Sequence, residues 1–169
     1  METTCLIRKM QTSDVKELSQ GFINQGWPGR EEILARYFLE QECGEREVLV
    51  AEVEGALAGY ITILPCAKQG PFAEIYPELS DFNVFEPFQN QGIGNLLMEE
   101  AEKRVKLISD KVTLGVGLHS GYGPAQRLYI KRGYIPDGSG VWYRNQPLEM
   151  NDTIQNNDDL VLYLSKKFE

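Results

Sequence analysis

The sequence predicts an α/β fold in one domain, residues 1–169, with a mixed sheet flanked by helices. Three observations carry that reading. Apolar residues alternate between helical spacing and short β-branched runs. Glycine and proline punctuate nearly every junction. The resulting order is β-α-α-β-β-β-α-β-α-β-β, and a chain of 169 residues suits one domain with a sizeable core.

Residues 5–10 read as a short strand, and Thr12, Ser13 and Asp14 as a helix start. Val15, Leu18, Phe22 and Ile23 then recur at helical spacing until Trp27, Pro28 and Gly29 break the pattern. Ile33, Leu34, Tyr37 and Phe38 mark a second helix ending near Gly44. Residues 47–52 and 56–64 read as paired strands, joined through Gly55 as a hairpin. A loop over 65–71 leads to a strand within 74–85, with Leu79, Phe82 and Val84 apolar and Pro87 ending it. From Gly92 a strong helix begins, with Ile93, Leu97, Ala101, Val105 and Ile108 on one face. A glycine-rich strand follows over 111–118. Residues 124–131 form a short helix with proline in its first turn and Gly133 past its end. Residues 134–135 and 141–143 read as a strand interrupted around Gly138, Ser139 and Gly140. A polar loop over 151–159 precedes a closing strand over 160–164.

Composition excludes several classes. A net charge of -8 argues against nucleic-acid binding, which needs clustered Lys and Arg. The acidic balance leans toward cationic partners, although solubility alone accounts for it. No stretch approaches the ~20 apolar residues of a membrane span. The start, Met1-Glu2-Thr3-Thr4-Cys5, lacks the basic residues and apolar run of a secretory signal. Cys5, Cys43 and Cys66 are odd in number and widely spaced, which suits a reducing cytoplasm and points to neither a disulfide framework nor a metal site.

The informative segment joins the third long strand to the strong helix: Val84-Phe85-Glu86-Pro87-Phe88-Gln89-Asn90-Gln91-Gly92-Ile93-Gly94. Glycines there let backbone N–H groups approach a ligand closely. The first turn of a helix presents N–H groups with the positive dipole end behind them. The combination suits a pyrophosphate without needing a basic side chain. Alone, Gly-x-Gly before a helix is a weak signal. The dinucleotide fingerprint wants a third small residue, where Leu97 stands, and an acidic residue roughly 20 positions on. The phosphate-loop ending Gly-Lys-Ser/Thr is absent.

With these residues in view, the sequence resembles the GNAT acetyltransferase superfamily. Gln89-Asn90-Gln91-Gly92-Ile93-Gly94 matches that family's Gln/Arg-x-x-Gly-x-Gly/Ala turn, and Phe82-Asn83-Val84 is similar to the end of its preceding strand. A second signature, Asn-x-x-Ala-x-x-Leu-Tyr-x-x-x-Gly-Phe, is met over 122–134 by Ala125, Leu128, Tyr129 and Gly133, with Tyr122 in place of Asn and Tyr134 in place of Phe. Two motifs in the right order are far more specific than either alone. The resemblance implies a central, largely antiparallel sheet with an acyl-CoA N-acyltransferase fold. It implies an enzyme that moves an acetyl group from acetyl-CoA, its co-substrate, to a primary amine of a small molecule or a peptide. In that reading the backbone of Gln91, Gly92, Ile93, Gly94 and Asn95 holds the pyrophosphate. Phe82, Asn83 and Val84 pair with the pantetheine arm, and Gln89 and Asn90 flank the phosphates. A homodimer through the C-terminal strands is a further family-level expectation.

Direct transfer needs a neutral amine, a polarised thioester carbonyl and a proton for the thiolate. An amine of pKa ~10.4 must lose its proton to a base or a water chain, and a backbone N–H can stabilise the thioester oxygen. The resemblance makes Tyr129 the acid, although Ala125, Leu128 and Tyr129 share a helical face and packing alone explains an aromatic there. Glu78 stands where some members carry a catalytic carboxylate. By alternation it shares a face with Ser80, Phe82 and Val84, with Asp81 opposed. Glu78 acts through water, attracts a cationic amine, or is a solvated carboxylate at a strand start. His119, the sole histidine, stays outside the catalytic set, and neither a metal cluster nor a Gly-x-Ser-x-Gly elbow is present. Trp27, Tyr37 and Phe38 fall where the family's variable helices wall the acceptor site, although aromatics at helical spacing are more often core. The rival reading is a non-catalytic acyl-CoA-binding regulatory module on the same fold.

Overall fold

The structure, a computed structural model, describes residues 4–169. Met1, Glu2 and Thr3, on which the reading of the N-terminus partly rests, lie outside the described residues. The chain divides into two units: residues up to Leu64 with Leu79–Arg104, and Pro65–Glu78 with Val105–Glu169.

In the first unit the order is β1 (Cys5–Lys9), α1 (Asp14–Asn24), α2 (Glu31–Glu42), β2 (Glu47–Val53), β3 (Ala56–Leu64), β4 (Glu78–Val84) and α3 (Ile93–Val105). The strands lie side by side as β1-β2-β3-β4, and β2 pairs antiparallel with β1 and β3. The β2–β3 hairpin forms as expected, because Glu54 (φ 51°) and Gly55 (φ 84°) take the left-handed turn that matches strand twist. Leu18, Leu34, Val48, Val50 and Tyr60 are wholly enclosed and pack with Phe22, Tyr37 and Phe85 into a core. Water exclusion from these side chains is the main force joining α1 and α2 to the strands.

Helix α1 starts where the sequence placed it, but by a different device. Ser13 makes no side-chain cap. Instead Asp14, 3% exposed, accepts the Gln11 N–H at 2.7 Å and both Arg8 terminal nitrogens at 2.8 and 3.0 Å. That carboxylate also faces the positive end of the helix. Two residues assigned to helical core faces are exposed. Ile23 lies at 49%, since α1 ends one residue later. Ile108 lies at 62%, three residues beyond the end of α3.

The second unit carries β5 (Lys111–Gly117), α4 (Gly123–Lys131), β6 (Ile135–Tyr143), β7 (Gln146–Pro147) and β8 (Leu160–Lys167). Their lateral order is β5-β8-β6-β7, antiparallel throughout. Glu78, the first residue of β4, falls in this unit and pairs parallel with Thr113. The interruption expected in β6 is a register shift between Pro136 and Val141, with Gly138 (φ 90°) and Gly140 (φ 79°) left-handed. The sequence reading missed β7, whose turn uses left-handed Arg144 and Asn145 rather than a glycine. It also stopped β8 short, since Ser165, Lys166 and Lys167 carry no apolar signal.

The α/β class holds: the described residues form eight strands and four helices, with the described ladders antiparallel apart from Glu78–Thr113. Among the described residues no helix is long and apolar enough to cross a membrane.

Candidate functional site

The junction from β4 to α3 is built as a rigid turn with an exposed rim. Phe85 is its anchor. Its N–H donates to Ala58 O at 2.8 Å, and its ring meets Phe22 edge-on with centroids 5.2 Å apart. That ring occupies the space over Gly21, where a Cβ would stand 2.5 Å from it. A single 3₁₀ turn, Glu86–Phe88, follows, with the Glu86 N–H donating to Gln25 Oε1. Asn90 (φ 61°) and Gly92 (φ 81°) are both left-handed, so the chain reverses twice within three residues. Gln89 Nε2 donates to Val84 O at 2.9 Å and Gln91 Nε2 to Pro87 O at 3.0 Å. Both glutamine side chains therefore brace the turn in this structure. Gln89, Asn90, Gln91 and Gly92 are exposed while Ile93 is buried beneath them. The Leu96 N–H bonds back to Gly92 O at 3.2 Å, so those of Ile93 and Gly94 precede the intrahelical ladder. An anion resting there meets backbone donors and the positive helix end.

Strand β4 holds a feature that the sequence reading mistook. Alternation was expected to put Glu78, Ser80, Phe82 and Val84 on one face with Asp81 opposed. Asp81 is left-handed, with φ 48°, and such a residue breaks the two-residue period. The distortion extends to the pairing with β3. Thr62 Oγ1 donates to Ser80 O at 2.7 Å, a side chain serving a strand carbonyl. Two residues on, Gly59 lies so close that a Cβ would stand 2.2 Å from Asn83 O.

The Asp81 carboxylate collects donors from three directions. Arg30 gives it two parallel N–H bonds at 3.0 and 2.8 Å. Tyr37 and Tyr60 hydroxyls donate at 2.9 and 3.0 Å. Asn83 Nδ2 donates at 2.8 Å. A left-handed non-glycine residue costs about 1–3 kcal/mol, and hydrogen bonds to a charged group contribute about 1.5–3 kcal/mol each, so the network can hold the backbone there. Burial opposes the Arg30 charge, but the bond to Asp81 and the neighbouring Tyr60 and Asp81 charges outweigh it and raise its pKa. Burial, then the Asp81 charge, pushes the Tyr37 phenol up to about 12. Tyr60 moves further in the same direction from the same causes.

The remaining expected residues lie in the second unit. Glu78 is 8% exposed, which rules out a solvated surface carboxylate, and its charge adds to burial in pushing the Tyr163 phenol up to about 12. Tyr129, on α4, is 7% exposed with its ring 6.0 Å from that of Tyr134. Burial first, then Tyr122, raises its pKa, so the phenol keeps its proton at neutral pH. His119 braces a loop. Its Nδ1 accepts the Gly121 N–H at 3.1 Å, which leaves the proton on Nε2, 2.7 Å from Asp158 Oδ1. Tyr122, standing in place of the family's Asn, donates to the same oxygen at 3.2 Å. Its ring covers Gly117, where a Cβ would lie 2.3 Å from it.

Phe82, Asn83, Val84, Gln89, Asn90, Gln91, Gly92, Ile93, Gly94 and Asn95 thus fall in the first unit, and Glu78 and Tyr129 in the second. Arg30, Tyr60 and Asp81 escaped the sequence reading. The available signal was Asp-Phe-Asn inside a strand, polar residues two apart just before the glycine turn. Trp27 is 61% exposed whereas Tyr37 belongs to the core. Among the described residues no group of three or more His, Cys, Asp or Glu is placed to hold a metal ion.

The sequence matches the model of the acetyltransferase (GNAT) family over residues 13–134. No curated protein matches it significantly. Among solved structures, a ribosomal-protein-alanine N-acetyltransferase from Brucella melitensis is 21% identical with a TM-score of 0.70, covering 96% of this chain and 99% of its own. A GNAT-family acetyltransferase from Streptococcus pneumoniae is also 21% identical, at TM-score 0.68, covering 98% and 100%. The PaiA N-acetyltransferase of Thermoplasma acidophilum, in complex with coenzyme A, is 19% identical at TM-score 0.66, covering 98% and 99%. At these identities the likeness is one of fold. The family model, however, spans both the glycine turn and the Leu128-Tyr129 signature, and the chain belongs to the GNAT acetyltransferase family.

Proposed function

We propose that residues 1–169 form one N-acetyltransferase domain that moves an acetyl group from acetyl-CoA directly to a primary amine of a small molecule or peptide. The observation that carries this is the exposed β4–α3 turn, with left-handed Asn90 and Gly92 directly ahead of the α3 N-terminus. Backbone donors with no acidic side chain among residues 89–95, and with Ile93 buried beneath them, fit a pyrophosphate. The coenzyme A bound in the Thermoplasma protein supports the same ligand here.

Acetyl-CoA supplies an activated thioester, whose acyl carbon passes to the amine nitrogen and whose sulfur leaves as thiolate. Gln91, Gly92, Ile93, Gly94 and Asn95 bind its pyrophosphate through the backbone, with Gln89 bracing the turn and Asn90 beside the phosphates. Phe82, Asn83 and Val84 align the pantetheine arm along their strand. Tyr129, protonated at neutral pH, holds the proton that the leaving sulfur takes from its phenol oxygen. Glu78 draws the ammonium form of the acceptor and takes its first proton through water, and the second nitrogen proton, shed as the C–S bond breaks, restores the Tyr129 phenol. The acidic balance of the chain favours a cationic acceptor. Three free cysteines fit a cytoplasmic setting, and a net charge of -8 fits neither a nucleic-acid nor an anionic-membrane partner.

The test is thiol release from acetyl-CoA against polyamines, aminoglycosides, amino acids and N-terminal peptides. Release that depends on one amine class supports the reading and names the acceptor type. Calorimetric binding of acetyl-CoA with no release on any amine favours the regulatory module, and loss of both sinks the proposal.

A further inference from the structure

Within the first unit, the Asp81 carboxylate accepts five hydrogen bonds, and the glycine turn does not account for them. Asp81 sits in the middle of β4, three residues before the strand end that leads into the turn. Its carboxylate oxygens are filled from the start of α2 by Arg30, from within α2 by Tyr37, from β3 by Tyr60, and from β4 itself by Asn83. Tyr60 in turn accepts from Arg30 and from Asn83 Nδ2. With its lone pairs so occupied, Asp81 has no capacity left to take a proton from an amine or to bind an external cation. A carboxylate gripped from three elements, on a left-handed residue, is built to set backbone direction.

Two further observations show which backbone it sets. The Arg30 N–H donates to Ser19 Oγ at 2.8 Å, so the residue that clamps Asp81 is itself tied to α1. After the left-handed residue, β4 comes back against β3 so closely that only glycine fits at position 59, and Phe85 regains a ladder bond to Ala58. The path of Phe82, Asn83 and Val84 is thus fixed at one end by Asp81 and at the other by Phe85.

We propose that Asp81 is a positioning residue for the acyl-CoA donor. Through Arg30, Tyr37, Tyr60 and Asn83 it holds the break in β4 that aims Phe82, Asn83 and Val84 at the pantetheine arm. The inference rests on the acetyl-CoA reading above. A second consequence follows from the position of Arg30: the segment leading into α2 is tied to the donor strand, so loosening that segment weakens donor binding at a distance from the glycine turn.

The test compares Asp81→Asn with Asp14→Asn. Asparagine tolerates the left-handed conformation and keeps the side-chain shape, while removing the charge that both Arg30 bonds need. Asp14→Asn removes a comparably enclosed Arg8–Asp14 pair, 2.8 Å apart, in the same unit. Acetyl-CoA affinity by calorimetry and Tm are measured for both, with Arg30→Gln as a second route to the same loss. Asp81→Asn and Arg30→Gln are expected to weaken acetyl-CoA about tenfold or more, because small displacements of a positioned group are costly. Asp14→Asn is expected to lower Tm with affinity unchanged. If all three variants lose stability and none loses affinity, Asp81 is structural only and the inference is overturned. Should Asp81→Asn fail to fold, Arg30→Gln at native affinity overturns it equally. Wild-type protein that binds no acetyl-CoA overturns the functional reading and the inference with it, a result distinct from wild-type binding that the variants keep.

Discussion

Two glycines in β3 and its hairpin separate a packing requirement from a conformational one. A Cβ on Gly59 would stand 2.2 Å from Asn83 O and 2.9 Å from Val84 Cα. An ordinary C···O contact is about 3.3 Å, so β4 must retreat by about 1 Å to admit Gly59→Ala. Overpacking costs about 1–3 kcal/mol. Because the neighbours are backbone rather than flexible side chains, we expect a value near the upper end. For a chain of this size that corresponds to a Tm drop of roughly 6–12 °C. Gly55→Ala meets nothing within 4 Å, but φ is +84°, so only the left-handed penalty applies, about 1–2 kcal/mol and roughly 2–8 °C. Thermal unfolding and acetyl-CoA calorimetry on both variants decide the matter. Gly59→Ala should lose stability and donor affinity together, and Gly55→Ala a little stability alone. Equal stability and equal affinity in the two variants would refute the close-approach argument.

Gly92→Ala forces a Cβ into a left-handed position without a clash; the expected outcome is about 1–2 kcal/mol of lost stability with a larger loss of acetyl-CoA affinity, read by calorimetry. Tyr129→Phe should lower kcat while the acetyl-CoA dissociation constant stays put, and an unchanged kcat across pH removes Tyr129 from the acid role. In alkaline solution Tyr37 and Tyr163, both pushed up to about 12, stay neutral while their unfolded counterparts ionise from about pH 10. Their stabilising effect is complete below pH ~10 and disappears as pH rises toward ~12, which denaturation midpoints at stepped pH will show. The bond from His119, followed by that from Tyr122, holds the Asp158 carboxyl below its ordinary value. Its contribution is present above pH ~3.9 and lost as pH falls through the lower folded value. His119→Gln should move the Asp158 titration upward by NMR.

Much of the frame was legible because its signals are local. The β2–β3 hairpin follows from Gly55 and two β-branched runs, and α3 from Ile93, Leu97 and Ala101 after a glycine. The turn was readable from Gly92 and Gly94 ahead of a helical run, whereas the left-handed conformation of Asn90 went unread. What escaped was set by contacts distant in sequence. Asp81 and Arg30 are 51 residues apart, and no periodicity links them, so the alternation rule was applied through a residue that breaks it. The device at the start of α1 also escaped: Asp14, held by Arg8, accepts the Gln11 N–H, and Ser13 makes no side-chain cap. Strand β7 was hidden because Arg144 and Asn145 make a turn normally signalled by glycine.

The ring of Tyr122 over Gly117 constrains the order in which this lineage can change. With tyrosine at 122, a Cβ at 117 would stand 2.3 Å from the ring, so keeping that ring in place obliges the last residue of β5 to be glycine. Replacement of Tyr122 by the smaller asparagine common in the family lifts that obligation and also removes the hydroxyl that meets Asp158. Changes at 117 are therefore open once 122 changes or its ring moves. In related chains the two positions should vary as a pair, with tyrosine at the first accompanied by glycine at the second.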